Sequence, residues 1–350
     1  MTSKLFRHWL NVTIVLGLLL SGATAARAQT IRPGEPPFLS QLRGQCGAVY
    51  ESESNRNGVR RLTGLHLFNA AESAFTTLTN AHGIEDLEFE ATELRTPAFD
   101  VISNLTSLKS LKVVNCKFMP AQMSALQNLK ELQDLELMFT IYDEPAEARE
   151  KLLGELSPGE KQTRDALKRT GISDDVVLSA LLTDRTMPFL SKLTKLKTLN
   201  LVNTFVSGEG LKQLQPLVEM ESLDIGALGL TGKTAMPFQA MTKLHSLQYF
   251  NADDDIVEVL SKMTTLERLN IWSGDVTDVG ATHLLSLRQL QRLEIRGNKM
   301  TDQGLAQLSR VPTLKYLDLS YTKQITQDGF AQFRKLRPDV EIKYSPSRQP

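Results

Sequence analysis

Cysteine is nearly absent: Cys46 and Cys116 are the only two among 350 residues. That excludes a disulfide-dense scaffold and any C-x-x-C metal ribbon. Histidine is almost as scarce, and His8, His66, His82, His245 and His283 fall into no H-E-x-x-H spacing. No G-x-S-x-G elbow is found, so the signature of an α/β-hydrolase nucleophile is missing. Neither charge dominates, with 40 basic residues against 40 acidic ones, which gives no electrostatic reason to expect nucleic acid or an anionic membrane as partner. Apolar runs long enough to cross a bilayer are lacking as well. The stretch "GALGLTGKT" at 226–234 ends like a phosphate-binding loop. However, five residues rather than four separate Gly226 from Gly232, and that loop works only through its backbone geometry.

What is present begins with a segment unlike the rest. Lys4, Arg7 and His8 precede "WLNVTIVLGLLL" at 9–20, and small residues lead to Ala26-Arg27-Ala28. A basic start, a short apolar run and an A-x-A site read as a secretory signal over 1–28. As a helix the apolar run would span only about 18 Å of a roughly 30 Å bilayer core, which argues against a permanent anchor. Its removal takes away Lys4, Arg7 and Arg27 and no acid, leaving an exported chain that is mildly acidic. "QTIRPGEPPF" at 29–38 reads as a Pro-rich linker. Hydrophobic content of 41% and charged content of 23% then suit a soluble globular body large enough for one long domain or two.

One period runs through that body. "LKSLKV" begins at Leu108, "LQDLEL" at Leu132, "LKTLNL" at Leu196, "LERLNI" at Leu266, "LQRLEI" at Leu290 and "LKYLDL" at Leu314. Weaker copies are "LTGLHL" at Leu62, "IEDLEF" at Ile84, "MESLDI" at Met220 and "LQYFNA" at Leu247, which makes ten. The steps 84 to 108, 108 to 132, 196 to 220, 266 to 290 and 290 to 314 are each 24 residues. In L-x-x-L-x-L the last two apolar residues are two apart, so they share one face of a short strand. Three positions later stands a small or polar residue (Thr92, Cys116, Thr140, Thr204, Asn298, Thr322) where the chain turns and a side chain can bond neighbouring backbone. "VSGEG" at 206–210, "VTDVG" at 276–280 and "MTDQG" at 300–304 read as helix starts, capped by Ser207, Thr277 or Thr301 or by the Asp beside the Thr. Apolar residues spaced by three follow, such as Leu211, Leu214 and Leu217, or Phe330, Phe333 and Leu336. No such unit closes a core alone, so the units must stack. By this register "GALGLTGKT" is a turn and helix start with a three-residue insertion.

These residues carry a resemblance over about 60–343. The chain resembles bacterial leucine-rich-repeat proteins of the ribonuclease-inhibitor-like type, with units of the form L-x-x-L-x-L-x-x-T…T-D-x-G-L-x-x-L-x-x-L. Some of these are called GALA-type, and "VGATHLLSL" at 279–287 is similar to them. The resemblance implies an α/β leucine-rich-repeat solenoid, a right-handed horseshoe with parallel strands on the concave side and short helices on the convex side. It also implies a binding scaffold rather than an enzyme. No F-box precedes the repeats, so the ubiquitin-ligase relatives are not a guide.

Residues 39–59 read as an N-terminal cap, a short helix and a hairpin turning at Asn57-Gly58. "PDVEIKY" reads as a closing strand, and 344–350 as a frayed tail. The step from Leu132 to Leu196 leaves a helical insert at 143–182, with a capping box in "SPGE" at 157–160. That insert is either a tolerated decoration or a docking element. Cys46 and Cys116 fall in the cap and the third copy. Two strand spacings, roughly 10 Å, separate those levels, so the two are expected to stay unpaired.

Side chains flanking the last apolar residue of each strand should line the concave wall. The candidate partner-binding residues are Glu88, Glu136, Asp224, Tyr249, Asp253, Trp272, Glu294, Arg296, Tyr316 and Asp318. Aromatic residues and Arg carry most interface energy, and a mainly acidic row suits a basic protein partner. "NADDD" at 251–255 packs three carboxylates side by side rather than alternating them around an ion, so it reads as a solvated rim. The expectation is an exported, non-catalytic, monomeric scaffold, periplasmic, cell-surface or secreted. It needs no catalytic residue, metal or cofactor. The competing readings are an enzyme or enzyme regulator acting through 143–182, and a structural component of the cell envelope.

Overall fold

The computed structural model describes residues 37–56, 59–118, 120–138, 161, 165, 184–201, 206–225, 238, 240–250, 252–272 and 274–344. The signal reading at 1–28, most of the linker, the Asn57-Gly58 turn, the "GALGLTGKT" stretch and the tail from 345 lie outside the described residues. So does the 143–182 insert apart from Lys161 and Asp165. The chain divides into two compact units, 1–196 and 197–350.

The first unit opens with helix α1 (Pro37–Gln45), which begins within the segment read as linker. Strands β1 (Ala48–Arg56) and β2 (Val59–Phe68) form the expected antiparallel hairpin. From β2 onward every pairing within the unit is parallel, through β3 (Asp86–Glu90), β4 (Ser110–Val114) and β5 (Asp134–Met138). Leu65, Leu87, Leu111 and Leu135 stand in register, as do Leu67, Phe89, Val113 and Leu137, and all eight are buried. Helices α2 (Glu72–Leu78) and α3 (Thr96–Asn104), a 3-10 segment at Pro120–Asn128 and α4 (Met187–Leu190) close the other side. Their apolar stripes, among them Phe75, Leu78, Phe99, Ile102, Met123 and Leu126, complete the core.

The second unit repeats the plan with seven strands that pair in parallel. They are β6 (Thr198–Leu201), β7 (Ser222–Ile225), β8 (Ser246–Phe250), β9 (Arg268–Trp272), β10 (Arg292–Arg296), β11 (Tyr316–Asp318) and β12 (Glu341–Lys343). Between them run α5 (Gly208–Lys212), α6 (Asp254–Leu260), α7 (Asp278–His283), α8 (Asp302–Leu308) and α9 (Gln327–Leu336).

One register differs from the sequence reading. Leu247 pairs with Leu223 and Leu269, and Tyr249 with Ile225 and Ile271. The copy therefore begins at Leu244, as "LHSLQY", 24 residues after Met220, and no three-residue insertion precedes it. The error arose because Phe250 is the more apolar of two adjacent aromatic residues and attracts the core position, whereas Tyr249 occupies it. Only 22 residues then separate Leu244 from Leu266. The short step tightens the turn: a Cβ on Gly274 would lie 2.3 Å from the Ala252 carbonyl oxygen.

Tyr249 is buried, and its hydroxyl has no hydrogen-bond partner among the described residues. Burial, with the charge of Asp253 as the smaller cause, holds the phenol well above its ordinary pKa. A buried hydroxyl without a partner is a liability, so Tyr249→Phe is expected to stabilise the unit by about 1 kcal/mol. A rise in the urea midpoint of the full chain checks this; a fall would mean that the hydroxyl is engaged.

Five of the described strands, β2, β3, β4, β10 and β11, end by the same device. Two residues past the last apolar side chain the backbone turns left-handed, at Asn69 (φ 48°), Ala91 (50°), Asn115 (52°), Gly297 (70°) and Tyr321 (65°). The next side chain then closes the turn on backbone carbonyls. Thr92 Oγ1 donates to Glu90 at 2.9 Å, Cys116 Sγ to Val114 at 3.3 Å, Asn298 Nδ2 to Ile295 at 2.7 Å, and Thr322 Oγ1 to Leu319. Both cysteines are free thiols, as the separation between the cap and the third copy implies.

The helix side carries a second ladder. Ser207, Thr277 and Thr301 cap their own helices, accepting from Glu209, Val279 and Gln303 backbone N–H groups. The neighbouring aspartates serve the following coil instead. Asp254 Oδ1 accepts from Thr277 N at 2.8 Å and Gly280 N at 2.9 Å, while its Oδ2 accepts from Thr277 Oγ1 at 2.6 Å. Asp278 makes the same three bonds to Thr301 and Gly304. Asp302 accepts from Thr326 N and Oγ1. Arg337 donates to the carbonyls of Ser309, Val311 and Leu314, satisfying acceptors of the preceding coil. Leu336, the last residue of its apolar stripe, is exposed.

Candidate functional site

Alternation along parallel strands places two rows of side chains on the open strand face of the second unit. One row, in register, reads Asn200, Asp224, Gln248, Asn270, Glu294, Asp318 and Lys343. Beside it stand Phe250, Trp272 and Arg296. Five of the ten candidate residues converge here: Trp272, Glu294, Arg296, Tyr316 and Asp318.

Their contacts form one connected array. The rings of Phe250 and Trp272 stack at 6.0 Å with 24° between planes, and the Arg296 guanidinium lies 4.3 Å above the Trp272 ring. Arg296 then bonds both acids, Nη2 to Glu294 Oε2 at 2.6 Å and Nε to Asp318 Oδ2 at 3.0 Å. The other oxygen of Glu294 takes Arg292 Nη2 at 2.7 Å, and Arg292 lies 3.8 Å above the Tyr316 ring. Glu294 is 8% exposed and Asp318 fully buried, so these carboxylates are neutralised within the fold rather than offered to a partner. Burial alone would raise the Asp318 pKa. The hydrogen bond from the Ser320 backbone N–H, at 2.9 Å, and the charges of Arg296 and Lys343 outweigh it and hold the carboxyl below its ordinary value.

The remaining candidates sit elsewhere. Tyr249 faces the core, and Asp253 is the N-cap of α6, accepting from Ile256 N at 3.0 Å. Both were placed on the open face by the register error. Asp224 stays on the face, half-buried, between Asn200 and Gln248. Glu88 and Glu136 belong to the first unit. There Glu88 lies 3.7 Å from His66, and Glu136 pairs with Lys112 at 2.9 Å, a bond that raises the Lys112 pKa. Sequence reasoning missed Phe250 and Arg292. Starting the copy at Leu244 would have exposed Phe250 as an outward side chain.

Among the described residues no group of three His, Cys, Asp or Glu is arranged to hold a metal ion. Burial pushes the Cys116 thiol up to about 12 and Cys46 to about 11, so neither carries the thiolate that nucleophilic chemistry requires at neutral pH. The geometry offers aromatic surface and fixed charge.

A family model described as Leucine Rich repeat matches residues 286–309, the stretch that supplies Glu294 and Arg296. With the strand register, that decides the fold. This is a leucine-rich-repeat solenoid. Its solved likenesses include an internalin of Listeria monocytogenes, at 17% identity and a TM-score of 0.45, covering 82% of this chain and 83% of that one. An internalin C2 of the same organism is 14% identical with a TM-score of 0.37, covering 88% of this chain and 93% of that one. No curated protein matches the sequence. Among the described residues no helix is long and apolar enough to cross a membrane.

Proposed function

We propose that this leucine-rich-repeat chain is an exported, non-catalytic scaffold that holds a protein partner against its strand face, with Trp272 as the anchor. The observation that supports it is the Phe250–Trp272–Arg296 stack. Trp272 is half-buried and clamped from both sides, so a partner meets an aromatic surface whose ordering cost was met during folding. Export rests on the signal pattern at 1–28 and would place the protein in the periplasm, at the cell surface or in the medium. In the first unit, taken by itself, Asp86, Glu88, Glu90, Asp134 and Glu136 outnumber His66 and Lys112 on the corresponding rows, and the strand face of that unit suits a basic protein segment.

Trp272→Ala is the direct test. Chemical cross-linking in the native cells, with mass spectrometry of the adducts, should capture a specific protein with the wild-type chain. At least a tenfold lower yield is expected with the variant, as hot-spot aromatics lose about 2 kcal/mol or more on truncation. An unchanged adduct from a variant whose unfolding midpoint shows it folded would refute the anchor. Arg296 is unsuitable for this test, because its guanidinium neutralises two buried acids.

A further inference from the structure

Below the aromatic stack, the strand face of the second unit carries a shallow groove lined by Glu267, Arg268, Gln291, Arg292, Lys315 and Tyr316. Arg268, Arg292 and Tyr316 are register partners on β9, β10 and β11, so each is one strand spacing, about 4.8 Å, from the next. We infer that this groove is an anion site that takes a carboxylate side chain from an acidic peptide segment of the partner. The inference rests on the protein-binding reading of the strand face and adds the chemistry of one contact.

Three features support it. Arg292 is locked in place, flat on Tyr316 at 3.8 Å and bonded to Glu294 Oε1 through Nε at 2.8 Å, yet about half of its side chain remains exposed. The single carboxylate of Glu294 is shared between Arg292 and Arg296, so it does not saturate the five donors of Arg292. The Arg268 side chain is exposed and has no hydrogen-bond or ion-pair partner among the described residues, while the Lys315 ammonium meets only the neutral amide of Gln291 at 2.9 Å among them. A carboxylate between two adjacent guanidinium groups would satisfy both in fork geometry. Against it stands Glu267, the one acid lining the groove, with Glu341 beyond Tyr316. Glu267 sets the sign of a second test.

The probe is a fluorescein-labelled peptide of alternating Glu and Gly, bound to the full chain at low salt and read by anisotropy. Arg268→Gln with Lys315→Gln is expected to weaken binding about tenfold or more, the worth of one charge-assisted bond. Glu267→Gln should tighten it several-fold by removing a like charge. Both sites are at the surface, so unfolding midpoints should not move. Failure of the wild-type chain to bind the probe, or equal binding by the double variant, would overturn the inference. So would an oligothymidylate that binds as tightly and loses as much, because the groove would then read any polyanion. None of these outcomes bears on capture through Trp272, and loss of the Trp272 effect with the probe results intact would sink the anchor alone.

Discussion

Arg296→Ala should destabilise the C-terminal unit by about 3 kcal/mol at neutral pH, because it leaves two buried carboxylates without their shared cation. The contacts set that size. Glu294 and Asp318 are 8% and 0% exposed, and Arg296 meets both within 3.0 Å while stacked on Trp272. A wild-type Asp318 with a depressed pKa favours folding above the ordinary carboxyl value of about 3.9, and that contribution fades as pH falls through the lower, folded value. Remove the guanidinium and one of the influences that oppose burial is lost, so the folded-state pKa of Asp318 rises above that of the wild type. The deficit of the variant should therefore be largest near pH 7 and shrink towards pH 4. Urea unfolding of both proteins at the two pH values reads it directly. A deficit independent of pH would mean that packing against Trp272, not charge, is what the substitution removes.

The same array shows how far the sequence could be read. Strand positions followed from period two within L-x-x-L-x-L, and the buried registers from Leu65 to Leu137 and from Leu199 to Leu201 were legible because nothing competes with leucine there. "LHSLQYFNA" failed because two aromatic residues vie for one core slot and the usual polar turn residue is replaced by Ala252. That single slip put Tyr249 and Asp253 on the open face and hid Phe250. The pairing of Arg296 with Glu294 and Asp318 was beyond reach for another reason. A row of acids and bases can be placed by register, but which charge covers which depends on rotamers that no spacing encodes.

The Asp-Gly coupling between coils is the second large effect, and its signature is a change of sign. Asp278→Ala should cost about 2 kcal/mol, since Thr301 N, Thr301 Oγ1 and Gly304 N lose a charged acceptor at the exposed start of α8. Gly304→Ala should cost a similar amount for a steric reason. Its Cβ would lie 2.4 Å from Asp278 Oδ1 and 3.3 Å from Asp278 Cα, and that side chain is pinned by three bonds. In the double variant the 2.4 Å clash with the carboxylate is gone and the 3.3 Å approach to the backbone of residue 278 is what remains, while alanine favours helix over glycine by about 1 kcal/mol. Gly304→Ala is thus expected to be destabilising alone and neutral or stabilising beside Asp278→Ala, a coupling of about 2 kcal/mol or more in a double-mutant cycle. Additive losses would mean that glycine is required there by the backbone and not by the aspartate of the preceding coil. The helix cap, which the sequence suggested was local, would then not depend on the neighbouring coil.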